Sequence, residues 1–241
     1  MLLKPKTPED LQSNILDTYF TMRAGIVVVA GLLPIVLLVY SLAAHGGLSE
    51  NSISAFYGAD DGRMRNYFVA SLCVVGALLV AYKGFSLLED ILLKVAGVAV
   101  ALVALTPCEC WHPIDRHSDL HTAFAITFFA CMAAVVEFCA FDTITLLPTG
   151  AEQTKYRRTY HGIAVGLLAS PVLALAAAYS AMAPTSAVFF VEWFAVWVFA
   201  LYWAVKSREF HLTSAEKKAA NAQLEKAPSG LVDRPPHARV G

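Results

Sequence analysis

Six stretches of the chain are apolar along nearly their whole length, and polar segments separate them. They cover residues 24–44, 66–82, 91–107, 119–141, 160–182 and 185–205. Each is close to the ~20 residues that a helix needs to cross the hydrocarbon core of a bilayer. The pattern predicts an all-α integral membrane bundle of six transmembrane helices. Pro34 and Pro171 lie inside two of the runs, where a proline kinks a helix. The first run is longer than the apolar core of a signal peptide, so it is read as a retained span. Residues 1–23 form a polar arm with a helix start at Thr7-Pro8-Glu9-Asp10. Residues 24–205 are the six-span domain. From Lys206 to residue 241 the composition turns polar, which predicts a tail with a short helix at 213–226 and disorder from Pro228 onward.

Composition agrees with this pattern. The chain is 57% hydrophobic and 15% charged, against about 25% charged in a soluble domain. A net charge of −1 gives no basic field, which argues against nucleic acid as a partner. The lipid bilayer is the expected environment. Five cysteines in such a chain do not make a disulfide framework. Six spans put both termini on one side, and 15 of the 18 lysines and arginines fall there; Arg63, Arg65 and Arg116 fall on the other. Positive charge stays cytoplasmic, so both termini are expected inside the cell, and loops 45–65 and 107–118 outside it.

The outer side holds the chemistry. Residues 107–121 carry His112, His117 and His121 with Cys108, Glu109, Cys110 and Asp115. His117 and His121 are four apart, so a helix puts them on one face. That spacing supplies half of a zinc site, with His112 as a third ligand. Two wet histidines at a membrane edge are the plain alternative. Glu192 lies in an otherwise apolar run, where a carboxylate is costly and needs a partner. It is a candidate general base, or else a neutral, buried group bonded to a serine or to a backbone carbonyl. A site shared by His121 and Glu192 needs spans four and six to be neighbours. Ser52 and Ser54 complete the candidate catalytic set, and Tyr57 and Arg65 are candidate substrate-binding residues. Asp60-Asp61-Gly62 reads as a turn. Trp193, Trp197, Tyr202 and Trp203 read as lipid-facing and packing residues.

Ser52-Ile53-Ser54-Ala55-Phe56-Tyr57, Met64-Arg65-Asn66-Tyr67-Phe68-Val69, Tyr82-Lys83-Gly84 and Ala96-Gly97-Val98 resemble a group of bacterial multi-pass proteins. Their hallmark is Ser-Ile-Ser-x-Tyr-Tyr before an arginine-led second span, and this chain has Phe56 in place of the first tyrosine. The resemblance implies a shared fold and a bacterial inner membrane, and it carries no activity. More distantly, Ser52 or Ser54, Asp60 or Asp90, His117 and His121 are similar in residue type to the alkaline ceramidase and adiponectin receptor superfamily. Those proteins are seven-span, zinc-dependent lipid amide hydrolases. This chain has six runs, its histidine pair is on the fourth, and Asp90 falls on the opposite side. Three functional readings follow. One is a non-catalytic component that partners another membrane protein. Another is a metal-dependent hydrolase acting on a lipid or amphiphile at the outer leaflet. The last is a proton-coupled transporter or small-ligand binding protein.

Overall fold

The computed structural model describes residues 8–106, 116–180, 182 and 184–213. Among these there is no strand, and six long helices make up the body. They are α1 (Pro8–His45), α2 (Arg65–Ala81), α3 (Leu87–Leu105), α4 (Arg116–Ala134), α5 (Gly150–Tyr179) and α6 (Ala187–Thr213). The polar arm and the first apolar run form one continuous helix, and neither Pro34 nor Pro171 ends the helix that holds it. After α4 the chain widens into a π turn at Val135–Cys139 and then tightens into a 3₁₀ stretch at Ala140–Leu146.

Four segments are long and apolar enough to cross a membrane: Leu16–His45, Leu120–Leu146, Gly150–Tyr179 and Ala187–Thr213. The chain therefore has the helices of a membrane protein. The apolar α2 is shorter, at 17 residues. The 19-residue α3 opens with Glu89, Asp90 and Lys94 in its first two turns. Ser86 caps α3 by accepting from the Glu89 N–H at 3.1 Å, and the Glu89 carboxylate accepts from the Phe85 N–H at 2.7 Å. Two donors that the helix cannot use internally are thereby satisfied.

Each helix packs on the next in sequence, and α6 packs back on α1, so the six make a closed ring. The tightest seam joins α2 to α3. A Cβ at Gly76 would lie 2.6 Å from the Gly97 carbonyl oxygen, and one at Gly97 would lie 2.7 Å from that of Gly76. Only glycine permits this approach of two backbones, the usual means of helix association in lipid.

The two ends of the ring differ. At one end the connector 46–64 folds inward. Ile53 and Phe56 bury among Leu33, Leu37, Phe68 and Phe189, with the Phe56 and Phe189 rings 6.1 Å apart. We call this the plug end. The far end, near residues 82–86, is lined with buried charge. Lys206 is 2% exposed and Glu209 0% exposed. The Lys206 ammonium donates to the Ala140 carbonyl at 3.2 Å, to Thr143 Oγ1 at 2.7 Å and to Glu209 Oε2 at 3.2 Å. Glu209 also accepts from the hydroxyls of Thr143 and Tyr160. Arg23, 2% exposed, reaches Ser207 Oγ and the Tyr82 hydroxyl at 3.1 Å each and lies over the Phe210 ring. Sequence pattern put Arg23 in the polar arm and Lys206 at the start of the tail. Both instead belong to the packed end of the ring, because α6 continues to Thr213. Tyr202 and Trp203 are fully enclosed there, whereas Trp197 is exposed as expected.

Candidate functional site

The plug begins where α1 ends and is tied to three helices. The Phe189 N–H at the start of α6 donates to the Asn51 carbonyl at 2.7 Å. One turn further along α6, Glu192 Oε2 accepts from the Ser52 hydroxyl at 2.8 Å and from the Ile53 N–H at 2.6 Å. The Ser54 N–H turns back to Ser52 Oγ at 3.1 Å. The Ser54 hydroxyl meets His121 Nε2 at 3.0 Å, and His121 Nδ1 meets the Thr106 carbonyl at 3.0 Å. A carbonyl can only accept, so Nδ1 carries the ring proton. Nε2 then presents a lone pair, and the serine hydroxyl donates to it. His121 is 5% exposed and rides on the second turn of α4, while Thr106 closes the end of α3.

Glu192, Ser52, Ser54 and His121 thus form one chain of hydrogen bonds. They do so by a route different from the expected one. In the ring α4 and α6 are not adjacent, but they meet across it, with the Phe128 and Phe199 rings 5.2 Å apart and Lys206 bonded to the Ala140 carbonyl just past α4. The plug bridges them by sending one serine each way. Glu192 has the partners required of a carboxylate in an apolar span, a serine hydroxyl and a backbone N–H.

Beneath the plug lies a cavity of about 120 Å³, walled by all the helices except α5. Its polar side is Ser54, His121 and Glu192. Its apolar side is formed by residues such as Leu72, Val100, Val103 and Phe128. Glu192 Oε1 and the lone pairs of Ser54 Oγ receive no hydrogen bond among the described residues, so acceptors stand open on the polar side.

Tyr57 and Arg65 are paired with each other. The Arg65 guanidinium sits 4.7 Å above the Tyr57 ring, and its Nε donates to the Tyr57 carbonyl at 2.9 Å. Neither lines the cavity, and together they brace the exit of the plug. Between them Asp60 and Asp61 take left-handed backbone angles, φ 48° and 56°, as the turn reading of this stretch requires. Asp60 Oδ2 accepts from the Tyr40 hydroxyl at 2.5 Å and meets His45 Nε2 at 2.7 Å. The Tyr40 bond first, and His45 after it, hold the Asp60 carboxyl below the usual carboxylate range.

The metal expectation finds little footing. His112 lies outside the described residues, as do Cys108, Glu109, Cys110 and Asp115. His117 is on the first turn of α4, and its side chain lies outside them too. Among the described residues no three histidines, cysteines or carboxylates converge. Both His121 nitrogens already face oxygen partners, so a zinc ion there would have to displace the Ser54 hydroxyl.

The sequence cluster at 107–121 therefore contributes His121 to the described site. Three parts were not anticipated. They are the inward fold of the plug, the Thr106 carbonyl that fixes the histidine, and the clasp of Asp60 by Tyr40 and His45. The run Ser52-Ile53-Ser54-Ala55-Phe56 held a signal for the first of these, because apolar Ile53 and Phe56 sit inside a polar loop.

No family model, curated protein or solved structure matches the chain.

Proposed function

We propose that the chain is a six-span protein of the cell membrane with both termini in the cytoplasm, and that its plug-end cavity takes up part of a lipid or similar amphiphile from the outer leaflet. The ring order supports six spans, since α2 and α3 stand between α1 and α4. At 1.5 Å per residue they are about 26 and 28 Å long, near the ~30 Å core of a bilayer. The charge pattern supports the orientation. The far end carries Lys83, Lys94, Lys155, Arg157, Arg158, Lys206 and Arg208, and the plug end has Arg63 and Arg65. The resemblance to bacterial multi-pass proteins supports an inner membrane. In a cysteine-free background, Ser49→Cys is expected to react with an impermeant maleimide on whole cells, and Thr145→Cys only after lysis. The reverse pattern would overturn the orientation.

One observation carries the binding reading: the cavity is amphipathic, with open acceptors on one side and hydrocarbon on the other. An apolar cavity of about 150 Å³ holds benzene, so this one fits a short segment of a larger ligand. Whole ligand pockets run to about 300–1,000 Å³. A chain segment next to a polar headgroup fits both sides. Of the three readings from sequence, the cavity favours ligand binding. A phospholipid with a diazirine near its carbonyl is expected to cross-link to α3 and α4 in nanodiscs. Ala125→Phe fills the cavity and should cut that yield at least tenfold. A yield indifferent to Ala125→Phe would sink the reading.

A further inference from the structure

We propose that Ser54 is a nucleophile that His121 activates for acyl transfer, acting on an ester in the amphiphile that the cavity holds. The inference rests on the binding reading above, and adds a reaction to it.

The geometry has the parts that such a step needs. The Ser54 hydroxyl lies 3.0 Å from His121 Nε2, within proton-transfer reach. The Thr106 carbonyl fixes the other ring nitrogen as the protonated one, so the basic nitrogen is the one facing serine. It holds the tautomer as an orienting third group does in a triad. Ser52 and Ser54 differ. Ser52 is buried and committed to Glu192, whereas Ser54 is half-buried and borders the cavity. Its oxygen is open on the side where a carbonyl carbon would come. The apolar side of the cavity lies where the acyl chain would then rest.

The step balances without a cofactor. Ser54 Oγ attacks the ester carbonyl carbon as its proton passes to His121 Nε2. The carbon–alkoxide bond then breaks, and Nε2–H returns the proton to the leaving alkoxide. An acyl-serine and a free alcohol result. Water, deprotonated by the same nitrogen, cleaves the acyl-serine to the carboxylic acid and restores both residues.

A long-chain alkyl fluorophosphonate tests this directly. Its phosphorus takes the Ser54 oxygen, fluoride leaves, and the proton goes to His121. With purified protein in nanodiscs, the probe is expected to label the peptide bearing Ser54, and Ser54→Ala should abolish the label. His121→Gln keeps an acceptor for the serine hydroxyl yet cannot take its proton, so labelling should fall about 100-fold or more at an unchanged unfolding midpoint. Labelling that survives His121→Gln would overturn the role of the histidine. Diazirine cross-linking without any labelling of Ser54 would overturn the nucleophile and leave the binding reading standing. Labelling of Ser54 without cross-linking would do the opposite.

Discussion

Lys206→Met is expected to destabilise the purified protein by about 3–5 kcal/mol, the usual result of removing one partner from a buried ion pair. Glu209 is 0% exposed, and the methionine would leave its carboxylate without a counter-charge. The remaining bonds from Thr143 and Tyr160 do not supply one. Thr143 would also lose the ammonium as a donor. The double variant Lys206→Met/Glu209→Leu removes both charges, and paired removal from an interior is often close to neutral. It should recover most of the loss, less the ~1–3 kcal/mol of any hydroxyl left without a partner. Denaturant unfolding in mixed micelles measures both. A single variant within about 1 kcal/mol of wild type would show that the Lys206–Glu209 pair does not hold this end of the ring together.

Glu192→Leu is expected to release the plug. The carboxylate accepts from the Ser52 hydroxyl and the Ile53 N–H, and no other helix residue takes either donor. Losing both acceptors costs about 1–3 kcal/mol per buried donor. The bonds that still tie residues 48–58 to the helices include the Asn51–Phe189 link, the Ser54–His121 contact, the Ser49 N–H to Ser41 Oγ and the Arg65 Nε to the Tyr57 carbonyl. Hydrogen exchange of peptides covering residues 48–58 should accelerate at least tenfold, a local opening and not a global one. Glu192→Gln keeps one acceptor oxygen and should retain most of the protection. Exchange unchanged in Glu192→Leu would show that packing of Ile53 and Phe56 holds the plug without the carboxylate.

The helices were legible because hydrocarbon length is a coarse and strong constraint. All six apolar runs became helices, and the described helix ends fall within a turn or two of the runs except in α1, α5 and α6. Those three run on into polar sequence, where the pattern stops marking helix. In α6 the reason is visible in the register. Phe199, Tyr202 and Trp203 are buried, and the same face continues through Lys206, Glu209, Phe210 and Thr213. Composition put the start of the tail at Lys206, but the three-and-four spacing of these residues carries the buried face on to Thr213.

At the other end, the residue types of the site were legible and their arrangement was not. Glu192, Ser52, Ser54 and His121 stood out as polar groups near apolar runs. Their mutual placement depends on a connector folding back on itself, which no helical period encodes. Tyr57 and Arg65 look like ligand-binding groups on an outer loop, yet the short stretch between them lets each satisfy the other.

The closure of α6 on α1 bears on how the molecule is made. The ring seals only when the first helix meets the last. Arg23, synthesised well before α6, gains its bond to Ser207 only after the 184 residues that separate the partners have followed it from the ribosome. The Ser52 hydroxyl likewise waits for Glu192. Each end of the molecule is thus fastened by a contact between early and late segments, so a nascent chain halted before α6 would lack both fastenings. Such a chain would display its buried cation and loose connector to quality-control proteases, which could tell it from a finished copy.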